Sequence, residues 1–231
     1  MHAPRDRQMT STERKPHICI FAKPPRPGEV KTRLASVVGI EGAAALARAF
    51  FQDTWAMVRA LGWARAVLAT TEEPGGSLAI EPDAEVWLQG GGDLGRRIER
   101  ILCRALDRGP FAIALGADSP GLPPRALEQA RDALGAADAV LGPSDDGGFY
   151  LLALKRCPEG LLDGIPWSTD HTFERTLARL RLSGLSVATI EPWFDIDRPE
   201  ELDRLRQLLR SGAVTAPETA RLLEGTCAAR P

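Results

Sequence analysis

Four cations crowd the stretch FAKPPRPGEVKTRLA (residues 21–35): Lys23, Arg26, Lys31 and Arg33, set among Pro24, Pro25, Pro27 and Gly28. Such a set suits a phosphate chain, with ammonium groups as point charges and a guanidinium as a two-pronged donor. Proline limits φ and so lowers the entropy lost when a loop orders. Gly28 lets the backbone approach a ligand closely. Lys31-Thr32 matches the end of a P-loop motif, but no glycine precedes the lysine, which excludes a P-loop NTPase.

Acids supply the complementary chemistry. In GADSPGLPP (116–124), Asp118 ends an apolar run, and the next helix opens near Pro123, too late for Asp118 or Ser119 to cap it. A carboxylate there, facing a cationic loop, suits Mg²⁺, which takes one or two protein carboxylates and completes its shell with phosphates and water. DIDRPEEL (195–202) offers a second carboxylate. Asp195 and Asp197 alternate along an extended segment, so only one is expected to face the site. Asp197 could instead cap the helix opening at Pro199.

SDDGGFY (144–150) reads either as a polar turn or as an acceptor loop in which Asp145 or Asp146 deprotonates a hydroxyl. IPWSTD (165–170) reads as a helix start capped by Ser168 or Thr169, with Trp167 in the core or walling a pocket. QGGGDLGRR (89–97) carries Gly90, Gly92 and Gly95 in dinucleotide-binding spacing, with Asp118 downstream as a ribose-binding acid. That dinucleotide reading leaves the basic first loop and the DID segment without a role.

The elements that must position these residues alternate. Strands are expected at 17–21, 64–70, 85–89, 111–116, 138–142, 148–154 and 185–190, and helices at 41–61, 94–107, 123–134, 171–182 and 199–210. Alternation with near-continuous apolar strands predicts a mostly parallel sheet covered on both faces. The polar loops then gather beyond the carboxyl ends of the strands, where open α/β sheets bind ligands. The 231 residues form one domain over 17–210, after a tail at 1–16 and before a C-terminal helix and tail at 211–231. A net charge of −2 argues against a nucleic-acid binder. Four scattered cysteines imply reduced thiols in a cytoplasm, and no apolar run is long enough to cross a bilayer.

Taken together, FAKPPRPGEVKTRLA, QGGGDLGRR, LGADSPGLP, GPSDDGGFYLL, PWST and DIDRPEEL resemble the DUF2064 family of GT-A-fold, glycosyltransferase-like proteins, in order from about His17 to Leu205. More distantly they resemble the guanylyltransferases that act on molybdopterin and phospholactate. The resemblance implies a single-domain α/β GT-A, or nucleotide-diphospho-sugar transferase, fold. It implies Mg²⁺ or Mn²⁺ on Asp118 and Asp197, and a nucleotide held by Lys23, Gly28, Lys31 and Arg33 at its phosphates. Gly90, Asp93, Leu94 and Gly95 would approach the base.

Asp118, Asp145 and Asp146 become the catalytic candidates, and Gly147, Gly148, Phe149 and Trp167 the acceptor wall. One departure stands out: Ala117-Asp118-Ser119 replaces the Asp-x-Asp common in sugar transferases of this fold. Glycosyl transfer from a nucleotide-sugar to a small hydroxyl-bearing acceptor is the preferred expectation. Nucleotidyl transfer releasing pyrophosphate is the alternative, and a non-enzymatic binding module is a third. Two adjacent acids favour a neutral acceptor over an anionic one.

Overall fold

The computed structural model describes residues 14–73, 77–78 and 80–227. Seven strands make one sheet: β1 (His17–Ala22), β2 (Arg65–Thr70), β3 (Glu85–Leu88), β4 (Ala112–Gly116), β5 (Ala139–Pro143), β6 (Phe149–Leu154) and β7 (Val187–Thr189). Their order is β3-β2-β1-β4-β6-β5-β7. All neighbours are parallel except β6, which lies antiparallel between β4 and β5. Because β6 alone is reversed, the β5–β6 turn falls at the carboxyl edge, beside the loops after β1 and β4.

The strands alternate apolar side chains between two faces, as a doubly covered sheet requires. Ile18, Ile20, Leu68, Ile113 and Leu115 pack with Phe51, Trp55 and Val58 of α1 (Ala35–Arg59) and Leu127 of α3 (Pro124–Ala133). Cys19, Val67, Ala69, Ala114 and Leu141 pack with Ile98, Ile101 and Leu102 of α2 (Leu94–Leu106) and Leu180 of α4 (Thr172–Leu182). Helix α1 begins earlier than expected, and a break at Gly39 (φ 74°) separates its first turn from the rest.

A third cluster positions the site. Leu34, Leu46 and Phe50 pack against Phe194, Ile196, Leu202 and Leu205, and this anchors α5 (Pro199–Arg210) over the end of the first loop. Helix α6 (Pro217–Cys227) is tied to α1 by Asp53, which accepts from the Glu218 and Thr219 amides at 2.9 and 3.0 Å and from the Thr219 hydroxyl at 2.6 Å. Among the described residues, no helix is long and apolar enough to cross a membrane.

Candidate active site

The loop after β1 turns Lys31 inward on a left-handed backbone (φ 47°). Its side chain is 5% exposed, and its ammonium lies 2.9 Å from Asp118 Oδ1 and 2.7 Å from Asp197 Oδ1. Burial alone would lower the lysine pKa, but the two carboxylates more than offset it, and the ammonium titrates above its ordinary value. Both carboxylates are about half exposed. Lys23 braces the same loop by donating to the Glu29 carbonyl at 2.8 Å. Arg26 turns away to Glu72 at 2.6 Å.

The DID segment runs alongside the Asp118 loop, with the Ile196 amide donating to the Asp118 carbonyl at 2.9 Å. Asp195 accepts from the buried Ser119 hydroxyl and, at 3.1 Å, from Ser144. Its carboxyl is pushed up to about 6 by burial, with Asp118 and Asp146 adding to the shift and the Ser119 hydrogen bond opposing it. Asp195 meets the serines of the loops after β4 and β5, while Asp197 meets Lys31 of the first loop. Both acids therefore join the cluster, contrary to the expectation that one would turn away. Nor does Asp197 cap α5: the Glu201 carboxylate takes the amides of Asp197 and Arg198 at 2.6 and 2.7 Å.

In the β5–β6 turn, Asp145 is neutralised by Arg204 at 2.6 Å, and that guanidinium stacks 3.9 Å from the Phe194 ring centre. Asp146 Oδ1 accepts from the Gly148 amide at 2.9 Å. Gly147 (φ 84°) faces the Asp170 carbonyl so closely that a Cβ would sit 2.1 Å from it, and its own carbonyl accepts from Phe173 at 2.8 Å. It locks two loops together and contacts neither cleft. Ser168 and Thr169 do not cap α4. Instead the Thr172 hydroxyl accepts the Thr169 amide and donates to the Pro166 carbonyl.

The glycine-rich segment is likewise explained by packing. Asp93 caps α2, accepting from the Arg96 amide at 2.9 Å, so a carboxylate already occupies the helix end that a dinucleotide diphosphate would need. Arg100 binds the carbonyls of Gln89 and Gly91, over the face of Gly90. Gly95 is buried, and a Cβ there would meet the Leu162 carbonyl at 2.8 Å.

Two clefts flank the Lys31–Asp197 pair. The first, of about 330 Å³, is lined by Lys23, Lys31, Arg97 and Asp118 together with Phe51, Leu78, Gln89 and Leu94. The second, of about 610 Å³, holds Arg33, Asp145, Asp146, Asp195, Arg198 and Arg204, and it shares Asp197 with the first. A smaller recess of about 200 Å³ runs from Asp146 and Asp195 to Gly148, Phe149 and Trp167. The rings of Phe149 and Trp167 meet edge to face at 6.0 Å. A separate groove of about 400 Å³ between α5 and α6 carries none of this chemistry.

The expected residues thus divide. Lys23, Lys31 and Leu94 line the first cleft, whereas Arg33, expected on the nucleotide phosphates, lines the second. Gly28, Gly90, Asp93 and Gly95 shape loops and helix ends. Arg97, Arg198 and Arg204 were missed. Arg97 lies one helical turn beyond Asp93 and Leu94, a spacing that could have exposed it.

Two hard carboxylates from different loops already converge on one cation, so Asp118 and Asp197 suit Mg²⁺ or Mn²⁺. Among the described residues, no group of three Asp, Glu, His or Cys could hold a metal alone. Donor phosphates and water would complete the shell, the usual habit of Mg²⁺.

The covered, mostly parallel sheet, with cations and paired carboxylates at its carboxyl edge, has the nucleotide-diphospho-sugar transferase fold. The chain belongs to the DUF2064 family, described as "Uncharacterized protein conserved in bacteria", whose model matches residues 53–169. It is similar to a protein from Desulfovibrio desulfuricans G20, provisionally termed a nucleotide-diphospho-sugar transferase. Identity is 30%, coverage 92% of this chain and 95% of that one, and the TM-score 0.82.

The inositol-1-phosphate CTP transferase of T. maritima shares the fold at 14% identity, covering 85% of this chain and 95% of its own, with a TM-score of 0.57. So does the 4-diphosphocytidyl-2C-methyl-D-erythritol synthase of Anaerococcus prevotii DSM 20548, at 10% identity, 85% and 96% coverage and a TM-score of 0.56. No curated protein matches.

Proposed function

We propose that the protein is a metal-dependent glycosyltransferase that moves a sugar from a nucleotide donor to a small acceptor. The observation that carries this reading is the meeting of Asp118 and Asp197 on the Lys31 ammonium, at the wall between the two clefts. A phosphate chain in the first cleft would lie against that point, with the acceptor on its far side. The likeness to the Desulfovibrio protein supports a nucleotide-diphospho-sugar donor.

Lys23, Lys31 and Arg97 bind the donor's phosphates, and Leu78, Gln89 and Leu94 are left to line the base. Asp118 and Asp197 would hold a divalent metal ion, which would supply positive charge to the departing diphosphate. Asp145 is spent on Arg204, so the acceptor's hydroxyl proton falls to Asp146, which borders both the second cleft and the aromatic recess.

Nucleotidyl transfer is the second reading, and the surroundings of Asp118 favour it. The positions that would complete Asp-x-Asp with Asp118 are Gly116 and Pro120, which leaves one carboxylate at the end of β4. Supplying nucleotide-sugars and nucleoside triphosphates separately and assaying the leaving group decides the matter. Glycosyl transfer releases a nucleoside diphosphate, and this release should fall more than 100-fold in Asp146→Asn with donor binding unchanged. Pyrophosphate from a triphosphate, with no diphosphate from any nucleotide-sugar, establishes the second reading instead.

A further inference from the structure

The second cleft carries charges that a neutral acceptor leaves unused. Five of its six acids have close partners: Asp145 has Arg204, Asp197 has Lys31, Asp195 has two hydroxyls, Glu201 has two amides, and Asp146 has the Gly148 amide; the sixth, Asp170, is exposed at the rim, 3.6 Å from His171. Arg33 and Arg198 have no acid of their own. Both line the cleft, and no carboxylate among the described residues pairs with either guanidinium. Arg33 sits two residues beyond Lys31 on the basic loop, and Arg198 directly follows Asp197, so each is close in sequence to one member of the Lys31–Asp197 pair. Ser168 adds a hydroxyl to the same cleft from a left-handed backbone (φ 59°), a conformation that β-carbon sterics disfavour.

We infer that the acceptor is an anion, a small hydroxyl-bearing molecule with a phosphate or carboxylate group that Arg33 and Arg198 grip. Guanidinium groups suit planar, two-pronged binding of either group. The expectation of a neutral acceptor rested on repulsion from two free acids, and the Asp145–Arg204 pair removes one of them. The anionic group lies at the arginines, while the hydroxyl lies at Asp146 across the cleft. This inference rests on the transferase reading and narrows its substrate.

Calorimetric titration tests it. The full chain is first saturated with a nucleoside diphosphate and Mg²⁺, so that the donor's cations are filled. It is then titrated with glycerol 3-phosphate, glycerate, inorganic phosphate and glycerol. At least one anion should bind at least tenfold more tightly than glycerol, and glycerol 3-phosphate against glycerate distinguishes a phosphate handle from a carboxylate. Arg33→Gln and Arg198→Gln should each weaken that anion roughly tenfold or more, in line with loss of a charge-assisted hydrogen bond, and leave nucleoside diphosphate affinity unchanged. Equal affinity for glycerol and the anions overturns the inference and leaves the transferase reading intact, as does an equal loss of nucleotide and anion in both variants. Arginine-dependent anion binding by a chain that binds no nucleotide overturns the acceptor role, because the transferase reading beneath it has failed.

Discussion

Replacing Lys31 with methionine should separate two roles of one ammonium. Its partners Asp118 and Asp197 are about half exposed, so water can replace the lost contacts, and each pair is worth only about 1 kcal/mol. Methionine also abolishes the cost of burying the charge, so the net stability change should stay within about 1 kcal/mol, or roughly 2–4 °C in Tm. Metal binding should respond far more. The ammonium sits between the two carboxylates that would hold a divalent ion. Charges of +2 and +1 held ~5 Å apart repel by ~2 kcal/mol even at the dielectric constant of water, and by more inside a cleft.

Without nucleotide, Lys31→Met should therefore bind Mn²⁺ at least tenfold more tightly, read by electron paramagnetic resonance of the free ion. Its affinity for a nucleoside diphosphate should fall tenfold or more, while affinity for the nucleoside should not change. A folded variant whose Mn²⁺ binding is unchanged or weaker would refute the placement of the metal on these two carboxylates.

Three further outcomes follow from the packing. Gly147→Ala should cost roughly 2 kcal/mol or more and loosen the β5–β6 turn, because φ is 84° and the new carbon meets the Asp170 carbonyl; a melt matching the parent would contradict this. Asp53→Ala should lower Tm by about 4–8 °C and expose α6 to proteolysis near Pro217, since it strands three donors, two of them at a helix start. Burial holds the His17 imidazole below its ordinary 6.5, so only the unfolded chain gains a proton just below that pH. Stability from this group is full above pH 6.5 and is lost at up to ~1.4 kcal/mol per pH unit as pH falls towards the lowered folded value. Denaturation midpoints between pH 7.5 and 5 should show a slope that His17→Phe flattens.

Much of this was legible because strand and helix periods are local. The seven strands, and every expected helix except the early-starting α1, lie within a few residues of where apolar alternation places them. Asp118 and Lys31 were legible because a lone acid and a cation-rich loop each sit just past a strand. Contacts between distant loops were not. Nothing near Asp145 announces that Arg204, on a helix begun after Pro199, will neutralise it, or that Arg33 will leave the phosphates for the neighbouring cleft. The glycines misled for a related reason. Gly95 and Gly147 are required by backbone carbonyls from other loops, and the same residue type would serve a ligand equally well. The cap offered as the alternative for Asp197 failed because the capping acid, Glu201, lies three residues into the helix at a position a capping box also permits.

Lys31 and Asp197 lie 166 residues apart, and so do Asp53 and Thr219. During synthesis the basic loop leaves the ribosome long before either partner exists, and closing so long a span costs chain entropy that only the finished core repays. The first cleft is therefore complete only once Asp197 has been made. A chain that stalls between β6 and the DID segment has at least six strands of its sheet, yet its Lys31 has Asp118 alone to pair with. On the proposed reading such a fragment would be inert, not half-active.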